Sequence, residues 1–195
     1  MAADAAYDLL IVGGGINGAA IARDAAGRGL RVLLCEQDDL AAHTSGASTK
    51  LIHGGLRYLE HGEFGLVAKA LAERETLLRL APHLASALDF VLVPAPALRA
   101  QWLIRLGLFL YDHLDFGRRT LPATRTIDLR THAAGAALRP GFGRAYVYAD
   151  GRVDDARLVV LTALDAAGRG AQVRTRTRCV AAERAGAHWR VRLRA

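Results

Sequence analysis

The chain is poor in cysteine and in long apolar runs, and each shortage excludes a class of protein. Two cysteines, Cys35 and Cys179, in 195 residues are too few for a disulfide framework and indicate a reducing compartment. The most apolar stretch, 98–114, is shorter than the roughly 20 residues that span a bilayer and is interrupted by Arg99 and Arg105. The first residues lack the basic and apolar regions of a secretory signal. We therefore expect a globular protein on the cytoplasmic side.

Lysine is also scarce, so arginine supplies 24 of the 26 basic residues. The net charge of +7 is unevenly distributed, with −3 on residues 1–117 and +10 on residues 118–195. Such an excess favours an anionic partner: nucleic acid, an acidic membrane surface or a phosphorylated small molecule. Nucleic acid is the weakest of the three, because the basic residues are not interleaved with aromatic ones and no nucleic-acid-binding module is recognisable.

The first 36 residues predict a strand, a helix and a second strand. Residues 7–12 form a short apolar run that ends at three glycines, which is typical of a buried parallel strand. Residues 16–28 have helical periodicity, and Gly29 is placed to cap them. Residues 31–35 are rich in β-formers. This order predicts the opening of a doubly wound α/β sheet.

Weaker patterns predict the rest of the chain. Residues 98–114 are either a core helix or a helix on a membrane surface, and the core is the stronger interpretation. The other expected elements are a loop over 37–50, a helix over 64–81, a strand over 89–93, mostly irregular chain over 117–143, a strand over 144–148, a helix over 154–167, a strand over 173–177, and a hairpin of 180–184 with 189–193.

Glycines at positions 13, 15 and 18 fit the dinucleotide fingerprint G-x-G-x-x-G, directly after the first strand and at the start of the first helix. The glycines allow a tight turn, approach of the backbone to a pyrophosphate, and close packing of helix on strand. Glu36 ends the next strand, where its carboxylate would accept hydrogen bonds from a ribose diol and disfavour NADP. The alternative is a structural glycine turn with Glu36 as a solvated strand end.

The choice between NAD and FAD depends on the residues after Glu36. An NAD domain would soon return to a helix and a strand, whereas this chain continues with Thr44, Ser45 and Lys50, then with Gly54-Gly55. Hydroxyl groups and a lysine could donate hydrogen bonds to a pyrophosphate, and paired glycines let the backbone lie against a flat ring. Each feature alone would also suit an ordinary loop or turn.

Together these segments resemble the FAD-dependent glycerol-3-phosphate dehydrogenase family over nearly the whole chain. The segments are GGGING at 13–18, DAAGRG at 24–29, STKLIHGGLRYLE at 48–60, AERE at 72–75, APHL at 81–84, LFLYDHL at 108–114 and VDDARLV at 153–159. In the hydroxyl loop, His43-Thr44-Ser45-Gly46 stands where the family usually has Gly-Thr-Ser-Ser. Family members have roughly 500 residues, enough for two or three domains, so the chain matches their N-terminal portion and lacks the rest of the active site.

The resemblance implies a Rossmann-like FAD-binding domain of the glutathione-reductase/amino-acid-oxidase flavoprotein type, truncated after the start of a mixed α+β substrate cap. Residues 1–84 would be the first part of the FAD-binding domain, 85–150 the start of the cap, and 151–195 the return to the FAD-binding domain. The implied reaction oxidises sn-glycerol 3-phosphate to dihydroxyacetone phosphate and passes electrons to a quinone. The protein would lie peripherally on the inner face of the cytoplasmic membrane, and a homodimer of the complete protein is compatible with the resemblance.

Two other functions remain open at this point. The chain could be an FAD-binding fragment without turnover, or part of a related amine or amino-acid oxidase. The setting of Arg57 in Gly-Gly-Leu-Arg-Tyr favours a phosphorylated substrate over an amino acid.

The resemblance also implies roles for individual residues. Arg57 would contact the substrate phosphate, with Tyr58 beside it; the alternative for Arg57 is an ion pair with Glu60. No residue is assigned as the catalytic base, and the spacing of the histidines predicts no metal site. The implied cofactor residues are Gly13, Gly15, Ile16, Asn17, Gly18 and Glu36 for the ADP half of FAD, Thr44, Ser45, Lys50, Leu51, His53, Gly54 and Gly55 for its pyrophosphate and flavin side, and the backbone of Cys179 near the adenine.

Overall fold

The computed structural model describes residues 6–94, 101–114, 117, 120–139 and 141–195. The chain divides into two compact units, one of residues 1–50 with 154–195 and one of residues 51–153. In chain order the elements are β1 (Leu9–Val12), α1 (Ile16–Gly27), β2 (Val32–Cys35), β3 (Leu51–Ile52), a 3₁₀ helix (Leu56–His61), α2 (Phe64–Leu80), β4 (Ala85–Leu92), α3 (Gln101–His113), β5 (Arg125–Asp128), a second 3₁₀ helix (Ala133–Ala137), β6 (Arg144–Val153), α4 (Asp155–Gly168), β7 (Gln172–Arg174), β8 (Arg178–Ala185) and β9 (His188–Arg194).

The first unit contains a parallel sheet in the order β1-β2-β7. The central strand β2 is buried along its whole length, as the unbroken apolar run of a strand covered on both faces requires. Helix α1 packs on α4 through small side chains, Ala19 against Val159 and Ala163 and Ala22 with Ala166 in the neighbouring cluster. Small residues let the two helices approach closely. The predicted strand-helix-strand opening and α/β fold are confirmed.

The end of the first unit is the two-stranded antiparallel hairpin β8–β9. It is longer than the predicted 180–184 and 189–193 but closes at the predicted place, with Ala185 opposite His188. An irregularity between Cys179 and Ala181 shifts the register. The predicted loop at 37–50 is also confirmed, since its residues form turns and bends.

The second unit contains an antiparallel sheet built around β6, which pairs with β3, β4 and β5. Strand β6 extends to Val153, five residues beyond the predicted end. The reason is pairing on both sides, where Gly151 faces Ile52 of β3 and Ala87 of β4. Helices α2 and α3 supply a core in which Val67 and Leu71 are completely buried and Tyr111 nearly so.

One expectation for this unit is confirmed, and another holds only in part. The described residues of 117–143 are mostly irregular, as expected; the exceptions are β5, which pairs with the first half of β6, and the 3₁₀ helix that follows it. The core interpretation of 98–114 holds for one face of α3 only; residues 98–100 lie outside the described residues. Leu108 and Tyr111 are buried, whereas Trp102 and Phe109 are 68% and 56% exposed. No described helix is long and apolar enough to cross a membrane.

Candidate functional site

The glycine loop joins β1 to α1 in the first unit. The N–H of Gly13 donates to the carbonyl of Cys35 at 2.8 Å, which fixes the loop to the end of β2. At Gly18 a Cβ atom would overlap the carbonyl oxygen of Gly13, so α1 can begin this close to the strand only with glycine there. The N-terminus of α1, with Ile16 and Asn17 in its first turn, is thereby placed directly behind the loop. This arrangement fits a bound phosphate group.

Glu36 follows β2 and is only 8% exposed. One carboxylate oxygen accepts a hydrogen bond from the N–H of Gly14 at 2.6 Å, and the other accepts from the N–H of Asp38 at 2.9 Å. The Glu36 carboxylate therefore lies at the glycine loop, where the spacing predicts a ribose-binding acid. Its position fits the ADP half of a dinucleotide.

The hydroxyl loop folds back onto the same helix. The hydroxyl oxygen of Ser45 accepts a hydrogen bond from the N–H of Ile16 at 3.0 Å, so Ser45 caps the first turn of α1. Thr44 is exposed one residue earlier. Gly46 cannot be the serine usual in the resembled family, because a Cβ atom there would overlap the carbonyl oxygen of Ala41. The loop as folded here therefore has no room for a side chain at Gly46.

Lys50 lies at the end of this loop and pairs with Asp155, the first residue of α4. Asp155 is buried and also accepts hydrogen bonds from the N–H and the hydroxyl of Ser48, at 3.2 and 2.8 Å. The hydrogen bonds from Lys50 and Ser48 hold the pKa of Asp155 well below its ordinary value. Ile16 of α1 and Ala156 of α4 pack on one apolar cluster, so Lys50 is anchored beside the start of α1.

Cys179 lies at the start of the β8–β9 hairpin, close to the end of β2. Burial raises the pKa of the Cys35 thiol, and the neighbouring Cys179 adds to that shift. The preceding backbone runs alongside Glu36, whose carbonyl accepts from the N–H of Thr177 at 2.7 Å. The structure therefore brings the glycine loop, Glu36, Ser45 and the chain leading to Cys179 together in the first unit.

The carboxylate of Glu36 also forms part of a group with Asp38 and His43 whose ligand atoms lie within 4.8 Å of one another. Backbone hydrogen bonds already engage both Glu36 oxygens, and His43 bonds to Asp38 at 2.8 Å. These contacts account for the proximity of the three residues without a metal.

The second unit holds the remaining cofactor candidates. Leu51 pairs with Arg152 of β6, His53 is exposed, and Gly54 and Gly55 are buried. Gly55 has a left-handed backbone with φ +71°, which L side chains adopt rarely. A Cβ atom at this position would also overlap the ring of Tyr58. The segment therefore turns sharply at Gly55, and neighbouring side chains leave no room for a side chain at either glycine.

Arg57 and Tyr58 follow on the first 3₁₀ helix. The N–H of Tyr58 donates to the carbonyl of Gly55 at 2.8 Å, and both side chains are exposed. Arg57 and Glu60 line a groove of about 770 Å³ whose other walls are mostly apolar side chains of α3 and of the chain after β4. Arg57 is thus available to an anionic ligand at the mouth of an apolar groove.

Sequence reasoning missed a buried polar network in this unit, formed by Arg74, Glu75, Tyr111 and Asp150. Arg74 is 2% exposed and Glu75 is fully buried, although both are charged. A signal was available, since positions 74 and 75 continue the helical spacing of Val67 and Leu71 on α2. When the helical spacing places charged residues among the buried residues of a helix, these charged side chains are expected to be buried together with a partner of opposite charge.

The fold and the glycine loop define a dinucleotide-binding architecture. The model of the family "FAD dependent oxidoreductase" matches residues 8–195, and the chain belongs to that family. A glycerol-3-phosphate dehydrogenase of Pseudomonas aeruginosa is 58% identical over 96% of this chain and 36% of its own length. A D-erythritol 1-phosphate dehydrogenase of Brucella abortus is 54% identical over 100% of this chain and 38% of its own length.

Among solved structures, the L-alpha-glycerophosphate oxidase of Mycoplasma pneumoniae with FAD bound has a TM-score of 0.68 at 20% identity, covering 95% of this chain and 49% of that one. This likeness shows the shared fold. The predicted flavoprotein fold and the predicted family resemblance are confirmed. The chain spans just over a third of the length of these two relatives.

Proposed function

We propose that the protein of which this sequence forms the FAD-binding and initial cap segments oxidises sn-glycerol 3-phosphate to dihydroxyacetone phosphate. The observation that carries the proposal is the segment 51–58, in which buried glycine backbone at 54–55 is followed by exposed Arg57. It lies in a chain with curated relatives that include two dehydrogenases of phosphorylated polyols. A backbone suited to a flat ring and a cation suited to a phosphate are thus only two residues apart.

The first unit would bind the ADP half of FAD. The N-terminus of α1 and the glycine loop receive the pyrophosphate, and Glu36 accepts from the ribose hydroxyls. Ser45 holds the first turn of α1 in place, Thr44 is the neighbouring exposed donor, and Lys50 adds positive charge beside Asp155. The backbone near Cys179 would lie by the adenine.

The second unit would bind the flavin side and the substrate. When bound, FAD supplies the acceptor for the hydrogen on C2 of the polyol phosphate. Residues 51–55 present backbone to the flavin, and Arg57 donates two hydrogen bonds in one plane to the phosphate. Tyr58 shields Gly55 with its ring. The proton of the C2 hydroxyl requires a base, which is not assigned among residues 1–195.

A quinone is the proposed electron acceptor, at the cytoplasmic face of the membrane. The support is the outer side of α3, on which Trp102 and Phe109, which do not line the groove at Arg57, are 68% and 56% exposed. An amphipathic helix of this kind can lie in a membrane interface. Replacing Trp102 and Phe109 by glutamine should reduce sedimentation with phospholipid vesicles, whereas the same change at exposed Leu80 of α2 should not.

The polyol could be longer than glycerol, because one relative is named for D-erythritol 1-phosphate. The experiment that decides between the two polyol phosphates uses the FAD-loaded protein expressed from its complete gene. It measures the turnover of glycerol 3-phosphate and of erythritol phosphate with a soluble quinone as electron acceptor. We expect glycerol 3-phosphate to give dihydroxyacetone phosphate. Preferential turnover of erythritol phosphate would show that the substrate is this longer polyol phosphate rather than glycerol 3-phosphate. Turnover of neither would leave FAD binding without turnover, or a related amine or amino-acid oxidase, as the function.

A further inference from the structure

A chain of buried hydrogen bonds ends on the backbone of Gly54. The N–H of Gly54 donates to the hydroxyl oxygen of Tyr111 at 2.7 Å. The Tyr111 hydroxyl donates in turn to the carboxylate of Asp150, at 2.8 Å to the nearer oxygen. Tyr111 comes from α3 and Asp150 from β6, so two separate elements hold one backbone amide.

Asp150 is itself held by the guanidinium of Arg74, which donates to it at 2.8 Å. Arg74 also donates to Glu75, at 2.9 Å for the shorter bond. The other oxygen of Glu75 accepts from the N–H and the hydroxyl of Thr120, at 2.8 and 2.7 Å. Each charged member thus has its partners, and none is more than 4% exposed.

Stability alone is a poor explanation for this network. Removing an arginine and two carboxylates from water is costly, and well-packed apolar residues in their place are often as stabilising or more so. What apolar residues could not supply is a hydrogen bond of fixed direction to the Gly54 amide.

The direction of each bond is determined. The Asp150 carboxylate faces Arg74 and can only accept, so the Tyr111 proton must point at it. Burial and the adjacent carboxylate raise the pKa of Tyr111 far above its ordinary value, which keeps the hydroxyl protonated. A lone pair of the Tyr111 oxygen therefore remains for the Gly54 N–H.

The Gly54 N–H, which this network holds, lies in a segment whose backbone conformation is tightly restricted. A Cβ atom at Gly54 would overlap Leu71, Gly55 makes the left-handed turn, and Arg57 follows two residues later. We propose that Tyr111, oriented by Asp150 and Arg74, is a positioning residue that fixes the Gly54–Gly55 backbone against the flavin ring. This inference rests on the proposed function, in which that segment faces the flavin.

The test compares Tyr111→Phe with Tyr148→Phe in the FAD-loaded protein expressed from its complete gene. Tyr148 is a matched control, because its ring contacts that of Tyr111 edge-on at 6.2 Å between centroids and the same single oxygen is removed. We expect Tyr111→Phe to shift the visible absorption spectrum of the bound flavin. It should also slow flavin reduction at saturating substrate by about tenfold to a hundredfold, the scale of a small misplacement of reacting groups, with KM nearly unchanged. Tyr148→Phe should match the wild type in all three.

A second readout needs neither cofactor nor substrate. Amide hydrogen exchange in residues 51–58 of the FAD-free protein should accelerate in Tyr111→Phe and remain unchanged in Tyr148→Phe. If Tyr111→Phe does not fold, Asp150→Asn retains the Tyr111 hydroxyl while removing the charge that orients it, and we expect the same spectral shift at smaller size.

The inference would be overturned if Tyr111→Phe had the same flavin spectrum and the same reduction rate as the wild type, even if its thermal stability fell. The same holds for Asp150→Asn where that variant is needed. If no polyol phosphate reduced the flavin of the wild-type protein, the proposed function would be overturned instead. The two failures are therefore distinguishable.

Discussion

Glu36 and Gly14 are joined by a hydrogen bond of 2.6 Å between a carboxylate oxygen and a backbone N–H, across 22 residues of sequence. This bond connects the end of β2 to the glycine loop that follows β1. It places the acid at the loop before any ligand binds, and burial of Glu36 limits the orientations that its side chain can adopt. The ribose-binding and pyrophosphate-binding parts of the proposed site are therefore held together by the protein itself.

Replacing Glu36 by glutamine should weaken FAD binding by about tenfold or more, since hydrogen bonds to charged groups contribute about 1.5–3 kcal/mol. The dissociation constant can be measured from the quenching of flavin fluorescence on binding. Asp38→Asn is the matched control, because it removes the same charge from an exposed side chain two residues away. Equal losses in both variants would show that general charge, rather than the Glu36 contact, determines affinity.

Replacing Gly18 by alanine should destabilise the first unit by about 1–3 kcal/mol or more, the usual cost of overpacking, because the new Cβ atom overlaps the Gly13 carbonyl. The free energy of unfolding from urea titration measures this loss. Gly168→Ala at the end of α4 is the control, since a Cβ atom there meets nothing within 4 Å. That control should be neutral or stabilising by up to about 1 kcal/mol. A Gly18→Ala protein as stable as the control would contradict the close approach of helix and strand.

The sequence predicts the first unit well because its signals are local. The apolar run of β2 and the glycines at 13–18 each specify their own backbone. The long strand β6 is hidden by Asp150-Gly151, which resembles a turn, and only pairing with β3 and β4 makes it a strand. The network around Arg74 joins residues far apart in sequence, so spacing alone cannot assign the partners. Lys50 was expected at a pyrophosphate, and its bond to Asp155 depends on the packing of α4 beside α1.

The pairing of Asp155 with Lys50 predicts a specific dependence of stability on pH. The Lys50 and Ser48 hydrogen bonds lower the pKa of Asp155 from its ordinary 3.8. A carboxyl whose pKa is lower in the folded state contributes stability that is complete above the unfolded pKa and is lost as pH falls through the folded pKa. Asp155→Asn should therefore lower Tm at neutral pH, and its difference from the wild type should narrow only in strong acid.

The control for this experiment is Asp24→Asn. Asp24 pairs with Arg28, which directly follows α1, with both side chains about two-thirds exposed or more, and solvent screens such pairs. Its Tm should change little at any pH. A Tm difference for Asp155→Asn that is no larger than that for Asp24→Asn would contradict the anchoring of Lys50.

Arg57→Ala should raise KM for glycerol 3-phosphate by about tenfold to a hundredfold, the value of charge-assisted hydrogen bonds to a phosphate. Arg57→Lys should restore part of the affinity, because lysine retains the charge but lacks the planar fork. Arg79→Ala, a change at an exposed residue in the last turn of α2, should leave KM unaltered. Steady-state kinetics of the complete protein give these values, and an unchanged KM in Arg57→Ala would remove Arg57 from the phosphate site.

The most direct test of the central claim is an anaerobic titration of the FAD-loaded protein, followed by the visible absorption of its oxidised flavin. The account predicts that glycerol 3-phosphate bleaches the flavin, whereas glycerol and amino acids do not, because the phosphate is required for binding at Arg57. Bleaching by an amino acid with no response to glycerol 3-phosphate would contradict it.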